Sequence, residues 1–295
     1  MSHPLTPDAT ERLANALEQL LTLCAPNQAK IDWSTIPAAR WRMRQGSLLA
    51  GKRGCLQAVP QVAPIGLADI QHVDVQKGRI VANTQQFVAG KPANNVLLTG
   101  AKGTGKSSLI KACLNAFFAQ GLRVIEVDKT DLVYLPDIVE QIAAEPYRFI
   151  LFCDDLSFDE GDSGYKALKT VLDGALAAPA ENVLVYATSN RRHLLPEYFH
   201  ENKTYTHTDD GEIHPGEVVE EKISLSERFG LWVSFQPFRQ DDYLNIVTHW
   251  LQQLGCPADE IERARADALR FAIERGSRSG RVAYQFARDW AGREA

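Results

Sequence analysis

The chain has 295 residues, 45% of them apolar and 23% charged, with a formal net charge of −5. That length suits one large or two modest domains with a full buried core, and a net negative chain lacks the global basic field that holds nucleic acid nonspecifically. Its cysteines (Cys24, Cys55, Cys113, Cys153, Cys256) lack C-x-x-C spacing, the amino terminus has no signal pattern and no apolar run reaches membrane-spanning length, so the expected setting is a reducing cytoplasm without a membrane partner.

Residues 8–25 carry a helical stripe of Leu13, Leu17, Leu20 and Leu21. Pro26, Pro37, Pro60 and Pro64 then interrupt the chain, which predicts an irregular arm over 26–64 and an N-terminal region of 1–64. Within the arm, Lys30, Arg40, Arg42, Arg44, Lys52 and Arg53 stand against the single acid Asp32, with Trp33 and Trp41 interleaved. Such a segment either stacks on bases and neutralises phosphates, or packs its tryptophans on the parent domain and leaves its arginines solvated or paired.

From residue 65 the pattern alternates. A helix is expected over 73–89, a strand over 95–99, a helix to about 119, a strand over 122–127, a helix over 135–144 and a strand over 148–153. A helix over 164–177 and strands over 182–188 and 231–235 follow. Short apolar strands separated by helices predict an α/β core of three layers, αβα, around a parallel sheet over 65–236. After Pro237 the strands stop. Asp241 and Asp242 open a helix with a Tyr243/Val247/Trp250/Leu254 face, and further helices are expected over 258–275 and 280–292. Residues 237–295 therefore read as an all-helical domain.

The strand at 95–99 runs into Gly100-Ala101-Lys102-Gly103-Thr104-Gly105-Lys106-Ser107, followed by a helical stretch from Ser108. This is the G-x-x-x-x-G-K-[ST] spacing in its strand–loop–helix setting. Glycines let the backbone curl so that N–H groups point at phosphate oxygens, and the helix presents its positive end to the same anion. Lys106 supplies a point charge near the β- and γ-phosphates, and Ser107 offers a hydroxyl to Mg²⁺. A nucleoside triphosphate is the expected ligand.

The apolar strand Phe149-Ile-Leu-Phe-Cys153 ends in Asp154 and Asp155. Ligands of open parallel sheets lie beyond the carboxyl ends of strands, so both acids would face the loop. Asp154 would share the metal with Ser107, and Asp155 would orient the attacking water; the alternative is a helix cap or solvated turn. The next strand ends in Ala187-Thr-Ser-Asn190-Arg191, where a polar side chain can touch the γ-phosphate or the water, or simply favour a turn. Downstream lie Arg228 in Ser226-Glu-Arg-Phe-Gly230, and Arg278 and Arg281 at the start of the last helix.

The order of loop, Asp-Asp strand, polar strand end, Arg-Phe-Gly and lid arginine resembles the AAA+ ATPases over residues 65–295. Within them, four strings resemble a bacterial AAA+ family carried as a domain of unknown function: Pro92-Ala-Asn-Asn-Val-Leu-Leu-Thr-Gly100, Phe152-Cys-Asp-Asp-Leu-Ser-Phe158, Tyr186-Ala-Thr-Ser-Asn-Arg-Arg-His-Leu-Leu-Pro-Glu-Tyr198 and Glu220-Glu-Lys-Ile-Ser-Leu-Ser-Glu-Arg-Phe-Gly230. The resemblance implies a P-loop NTPase fold, with ATP and Mg²⁺ between core and helical lid. It makes Asn190 the sensor-1 residue, Arg228 an arginine finger reaching a neighbouring copy, and Arg281 the sensor-2 arginine, with Arg278 as competitor. Residues 67–73, including Ile70 and Val73, resemble the linker that cradles adenine. A trans finger implies a homo-oligomer, and the family's usual work implies remodelling of a protein client. The Asp-Asp form also occurs in replication initiators and helicase loaders, which keeps a DNA-acting loader as one alternative and an ATP-gated binding module as another.

The chain departs from that pattern at His72, where many members carry glycine, and at Asp155, where many carry glutamate. No glycine follows Tyr134 to make a threading pore loop, and Pro136 opens a helix there, so Tyr134 is expected to pack. Residues 199–224 read as a polar insertion; His200, His207 and His214 have spacings that suit no zinc pattern, and partner contact is the expected role.

Overall fold

The strands are apolar on both faces because both faces are covered. Along β3 (Val96–Gly100), Val96 and Leu98 enter one core and Leu97 the other. Along β5 (Arg148–Cys153), Phe149, Leu151 and Cys153 face one side, Ile150 and Phe152 the other. Period-two alternation of buried residues is the mark of a sheet sandwiched between helix layers. The computed structural model describes residues 30–45, 52–158, 163–173, 180–191, 206–207, 213–214 and 225–293. The helix expected over 8–25 and most of the 199–224 insertion lie outside the described residues.

The remaining strands of the sheet are β1 (Ala38–Gln45), β2 (Lys52–Val59), β4 (Leu122–Glu126), β6 (Val183–Ser189) and β9 (Leu231–Phe235). Their order is β2-β1-β4-β5-β6-β3-β9, parallel throughout except for the β1–β2 pair. Helices α1 (Asp74–Val88) and α2 (Lys106–Phe117) cover one face through Ile80, Phe87, Leu109 and Leu114. Helices α3 (Leu135–Ile142) and α4 (Ser163–Asp173) cover the other through Leu135, Ile138, Tyr165 and Leu168. The fold is the αβα core expected from the alternating pattern. A separate two-stranded pair, β7 (Thr206–His207) and β8 (Ile213–His214), stands in the insertion.

Residues 38–45 and 52–59 correct the expected irregular arm: they are an antiparallel strand pair that extends the sheet, with β1 lying parallel to β4. The composition explains it once the partners are known. Ala39 and Trp41 point into the core and are 0% and 2% exposed. Arg40 and Arg42 point the opposite way, to Glu126 at 2.5 Å and Asp128 at 2.6 Å. Gly54 makes room for the Trp41 ring, since a Cβ there would lie 1.8 Å from it. Trp33 packs edge-on against Phe149 with ring centroids 5.0 Å apart. The segment carrying it is pinned by the buried Arg123, whose Nε donates to the Trp33 carbonyl at 2.6 Å while Phe118 and Tyr147 flank the guanidinium. Both tryptophans are thus core residues.

Tyr134 ends a 3-10 turn, Lys129–Tyr134, with its ring 6.1 Å from that of Trp41. Past β9, helices α5 (Gln240–Gln253), α6 (Ala258–Glu274) and α7 (Gly280–Ala291) enclose a small core of their own around Tyr243, Val247, Ala268 and Phe286. The Tyr243 hydroxyl donates to the Ala268 carbonyl at 3.0 Å, tying α5 to α6.

Candidate functional site

At the end of β3 the chain must pass very close to β9. A Cβ at Gly100 would lie 2.0 Å from the Phe235 carbonyl oxygen, and its φ of 124° adds a second demand for glycine. The Ala101 N–H donates to the same carbonyl at 3.3 Å. From there the loop wraps to Gly105, the N-cap of α2, and Lys106 opens the helix. Lys106 is only 6% exposed. Its Nζ donates to the carbonyls of Gly100 and Ala101, both at 2.8 Å, and to Asn190 Oδ1 at 3.2 Å. Burial pushes its pKa below the ordinary lysine value, while the carboxylates of Asp154 and Asp155 pull it back up.

The two carboxylates follow β5 directly. Asp154 Oδ1 accepts from the hydroxyls of Ser107 at 2.6 Å and Thr188 at 2.5 Å. Asp155 has a left-handed backbone, φ 54°, rare for a residue with a side chain. Its N–H donates to Thr188 Oγ1 at 2.9 Å, and its Oδ1 accepts from Asn190 Nδ2. Asn190 returns to Lys106. Ser107, Asp154, Thr188, Asp155, Asn190 and Lys106 therefore form one connected polar ring at the carboxyl ends of three adjacent strands, β3, β5 and β6.

This ring opens onto a cavity of about 530 Å³ between core and helical domain. Pro64, Ile65 and Ile70 make an apolar wall from the core; Phe238, Trp250 and Tyr284 face them from the helical side. The Trp250 and Tyr284 rings pack edge-to-face with centroids 4.7 Å apart. The two halves meet through the Gly280 N–H, which donates to the Gly103 carbonyl at 2.8 Å, and through two His–Asp pairs, His249–Asp69 at 3.0 Å and His72–Asp242 at 3.1 Å. His72 has a φ of 59°, the left-handed conformation that a glycine adopts without cost.

Lys102, Gly103, Thr104, Gly105, Lys106, Ser107 and Ser108 line the cavity. So do Asp154, Asp155, Asn190, Ile70 and Arg281. Gly100 and Ala101 lie behind the wall and serve it through the carbonyls that hold Lys106. Val73, Arg278 and Arg228 do not line the cavity. Val73 is 3% exposed and shares a core cluster with Ile70, but unlike Ile70 its side chain is not part of the cavity wall. Arg278 is exposed and off the cavity, leaving Arg281 as the lid arginine that reaches it. Arg228 does not line the cavity of its own chain and pairs with Asp173 of α4 at 2.6 Å. The aromatic lid wall was not foreseen as part of a site. Helical spacing puts Tyr284 one turn beyond Arg281 on the same face, and that is the signal that could have found it.

The donor chemistry fits a nucleotide with a small hard cation. Three left-handed glycines (100, 103 and 105) shape a loop at a helix N-terminus beside a buried lysine, which suits a polyphosphate. The Ser107 hydroxyl and Asp154 carboxylate are hard oxygen donors of the kind Mg²⁺ uses when most of its shell is water and phosphate. Among the described residues no group of three or more His, Cys, Asp or Glu side chains is gathered as a metal cage.

A comparison with curated proteins finds no match. Among solved structures, the chain is similar to a point mutant of RuvB from Thermotoga maritima, with a TM-score of 0.51 and 15% identity over 77% of this chain and 65% of that one. It thus spans just under two-thirds of that RuvB chain. It is also similar to the FIGL-1 AAA domain in complex with ADP, at TM-score 0.49 and 19% identity, covering 78% of this chain and 74% of that one. The HORMA:CdnC:Trip13 complex of E. coli MS115-1 gives 0.47 and 12% identity over 76% and 90%. At such identities the likeness concerns the fold. The family model described as "Protein of unknown function (DUF815)" matches residues 34–294, and the chain belongs to that family, with the AAA+ P-loop NTPase fold.

Proposed function

We propose that the chain binds ATP with Mg²⁺ in the cleft between core and lid, hydrolyses it, and uses the cycle to remodel a macromolecular partner. The observation that most supports this reading is the closed ring running from the phosphate loop through both carboxylates to Asn190. Loop N–H groups and Lys106 would bind the phosphates, with Lys106 exchanging its carbonyl partners for phosphate oxygens. Ser107 and Asp154 would hold Mg²⁺, which when bound neutralises charge on the phosphate oxygens. Asp155 and Asn190 would hold the attacking water in line, and Asp155 would accept its proton. Arg281 would approach the phosphates from the lid, while the apolar and aromatic walls would enclose the base.

Arg228 would act on the ATP of a neighbouring copy, because it does not line the cavity of its own chain. The active unit would then be at least a dimer. A DNA-acting role through the basic arm draws no support from β1, where Arg40 and Arg42 pair with Glu126 and Asp128, nor from Trp33 and Trp41, which are both buried. Among the described residues no helix is long and apolar enough to cross a membrane.

The test is phosphate release from ATP by the purified protein, with and without Asp155→Asn. The expected result is Mg²⁺-dependent turnover that the substitution lowers by about a hundredfold or more while leaving nucleotide affinity intact. Nucleotide binding with no Asp155-dependent turnover would instead favour an ATP-gated binding module.

A further inference from the structure

Thr188 bonds both acidic residues, Asp154 through its carboxylate and Asp155 through its backbone N–H. It is 2% exposed, on the last turn-facing stretch of β6. Its hydroxyl has one proton, and that proton goes to Asp154 Oδ1 at 2.5 Å. The same oxygen accepts the Asp155 N–H at 2.9 Å. Its carbonyl accepts the Leu156 N–H at 2.7 Å. The bend Asp154–Asp155–Leu156 is therefore fastened to one residue of the neighbouring strand at three points.

The fastening has a geometric consequence at each acid. On Asp154, Thr188 and Ser107 both donate to Oδ1, which holds that oxygen from two sides. On Asp155, the N–H bond holds a backbone that a residue with a Cβ adopts only when its surroundings compel it. That same backbone aims the Asp155 carboxylate at Asn190. Valine at this position would fill the same space and keep the strand, yet could neither donate to Asp154 nor accept from Asp155.

We propose that Thr188 is a positioning residue that sets the metal-side carboxylate and the water-side carboxylate together, so that one hydroxyl governs both halves of the reaction. The inference rests on the hydrolytic reading given above. Partners that orient metal ligands are commonly worth about 10–100-fold in metal affinity or activity.

Thr188→Val and Thr188→Ser are compared with the wild type in three measurements: kcat and KM for ATP, the Mg²⁺ concentration giving half-maximal rate, and crystal structures of the nucleotide-free proteins. For Thr188→Val the expected result is kcat lower by about tenfold or more, a raised Mg²⁺ requirement, little change in KM, and loss of the Asp155–Asn190 hydrogen bond in the crystal. Thr188→Ser, which keeps the hydroxyl, is expected to restore all of these. A Thr188→Val protein with wild-type kcat and Mg²⁺ dependence would overturn the proposal. So would equal damage in both variants with a matching loss of thermal stability, which marks a packing role. A wild type that releases no phosphate would overturn the hydrolytic reading instead; the crystal structures would then decide the positioning claim, an Asp155–Asn190 bond intact in Thr188→Val overturning it.

Discussion

The Gly280 N–H donates to the Gly103 carbonyl at 2.8 Å, so the first turn of the last lid helix is bonded to the phosphate loop itself. Ser279, which caps that helix by accepting the Val282 N–H, lies against Gly103 so closely that a Cβ there would sit 2.6 Å from the Ser279 Cβ. Gly103 also has φ 74°. Gly103→Ala must therefore shift either the loop or the lid. The expected outcome is a thermal midpoint lowered by a few degrees, for a cost of about 1–3 kcal/mol, and ATP affinity reduced by about tenfold. Calorimetric unfolding and equilibrium titration check the two effects.

Arg228 and Asp173 form an ion pair at 2.6 Å within one chain. If Arg228 serves a neighbour's ATP, the pair must open on assembly. Arg228→Ala is expected to bind ATP normally and to lose turnover by about a thousandfold. Mixed with Asp155→Asn, itself inactive, it should regain turnover, because each variant supplies what the other's interface lacks. A mixture as inactive as its components would show that Arg228 does not act between copies.

Much of the site was legible because its grammar is local. A loop, its strand and its helix occupy consecutive residues, and the acids announce themselves by ending an apolar run at Cys153. The strand pair β1–β2 was not legible, although Ala39, Trp41 and Met43 alternate with Arg40, Arg42 and Arg44. The arginines look like a basic patch until Glu126 and Asp128, 86 residues away, are seen opposite them. Thr188 was hidden for the same reason. Its neighbours in sequence do not show that its hydroxyl bridges two residues 33 and 34 positions earlier. In the linker, Ile70 and Val73 share one core cluster, and of the two only Ile70 also lines the cavity, a difference that spacing along three residues does not reveal.

Gly54 tests the strand pair directly. With the Trp41 ring 1.8 Å from where its Cβ would stand, Gly54→Ala is expected to destabilise the protein by about 1–3 kcal/mol without changing ATP affinity, since the strand pair lies at the far edge of the sheet. Urea unfolding beside a nucleotide titration separates the two quantities.

Alkaline stability follows from buried acids of another kind. Burial pushes the Cys113 and Cys153 thiols up to about 12 from 9.0, and the Tyr186 and Tyr243 hydroxyls up to about 12 from 10.0. The unfolded chain gives up these protons first. Their contribution is thus fully present below about pH 9 and is lost as the pH climbs toward 12. Urea unfolding at about pH 8 and about pH 10.5 should show a clear fall at the higher pH, and Cys113→Ala with Cys153→Ala should flatten part of that fall.

The most direct measurement is equilibrium binding of ATP in the presence of Mg²⁺ to the wild type and to Lys106→Ala, with folding of both monitored by circular dichroism. Saturable binding by the wild type, weakened by about a hundredfold or more in the variant, is the expected result. Equal affinity in the two folded proteins, or no binding by either, would contradict the assignment of this cleft to a nucleoside triphosphate.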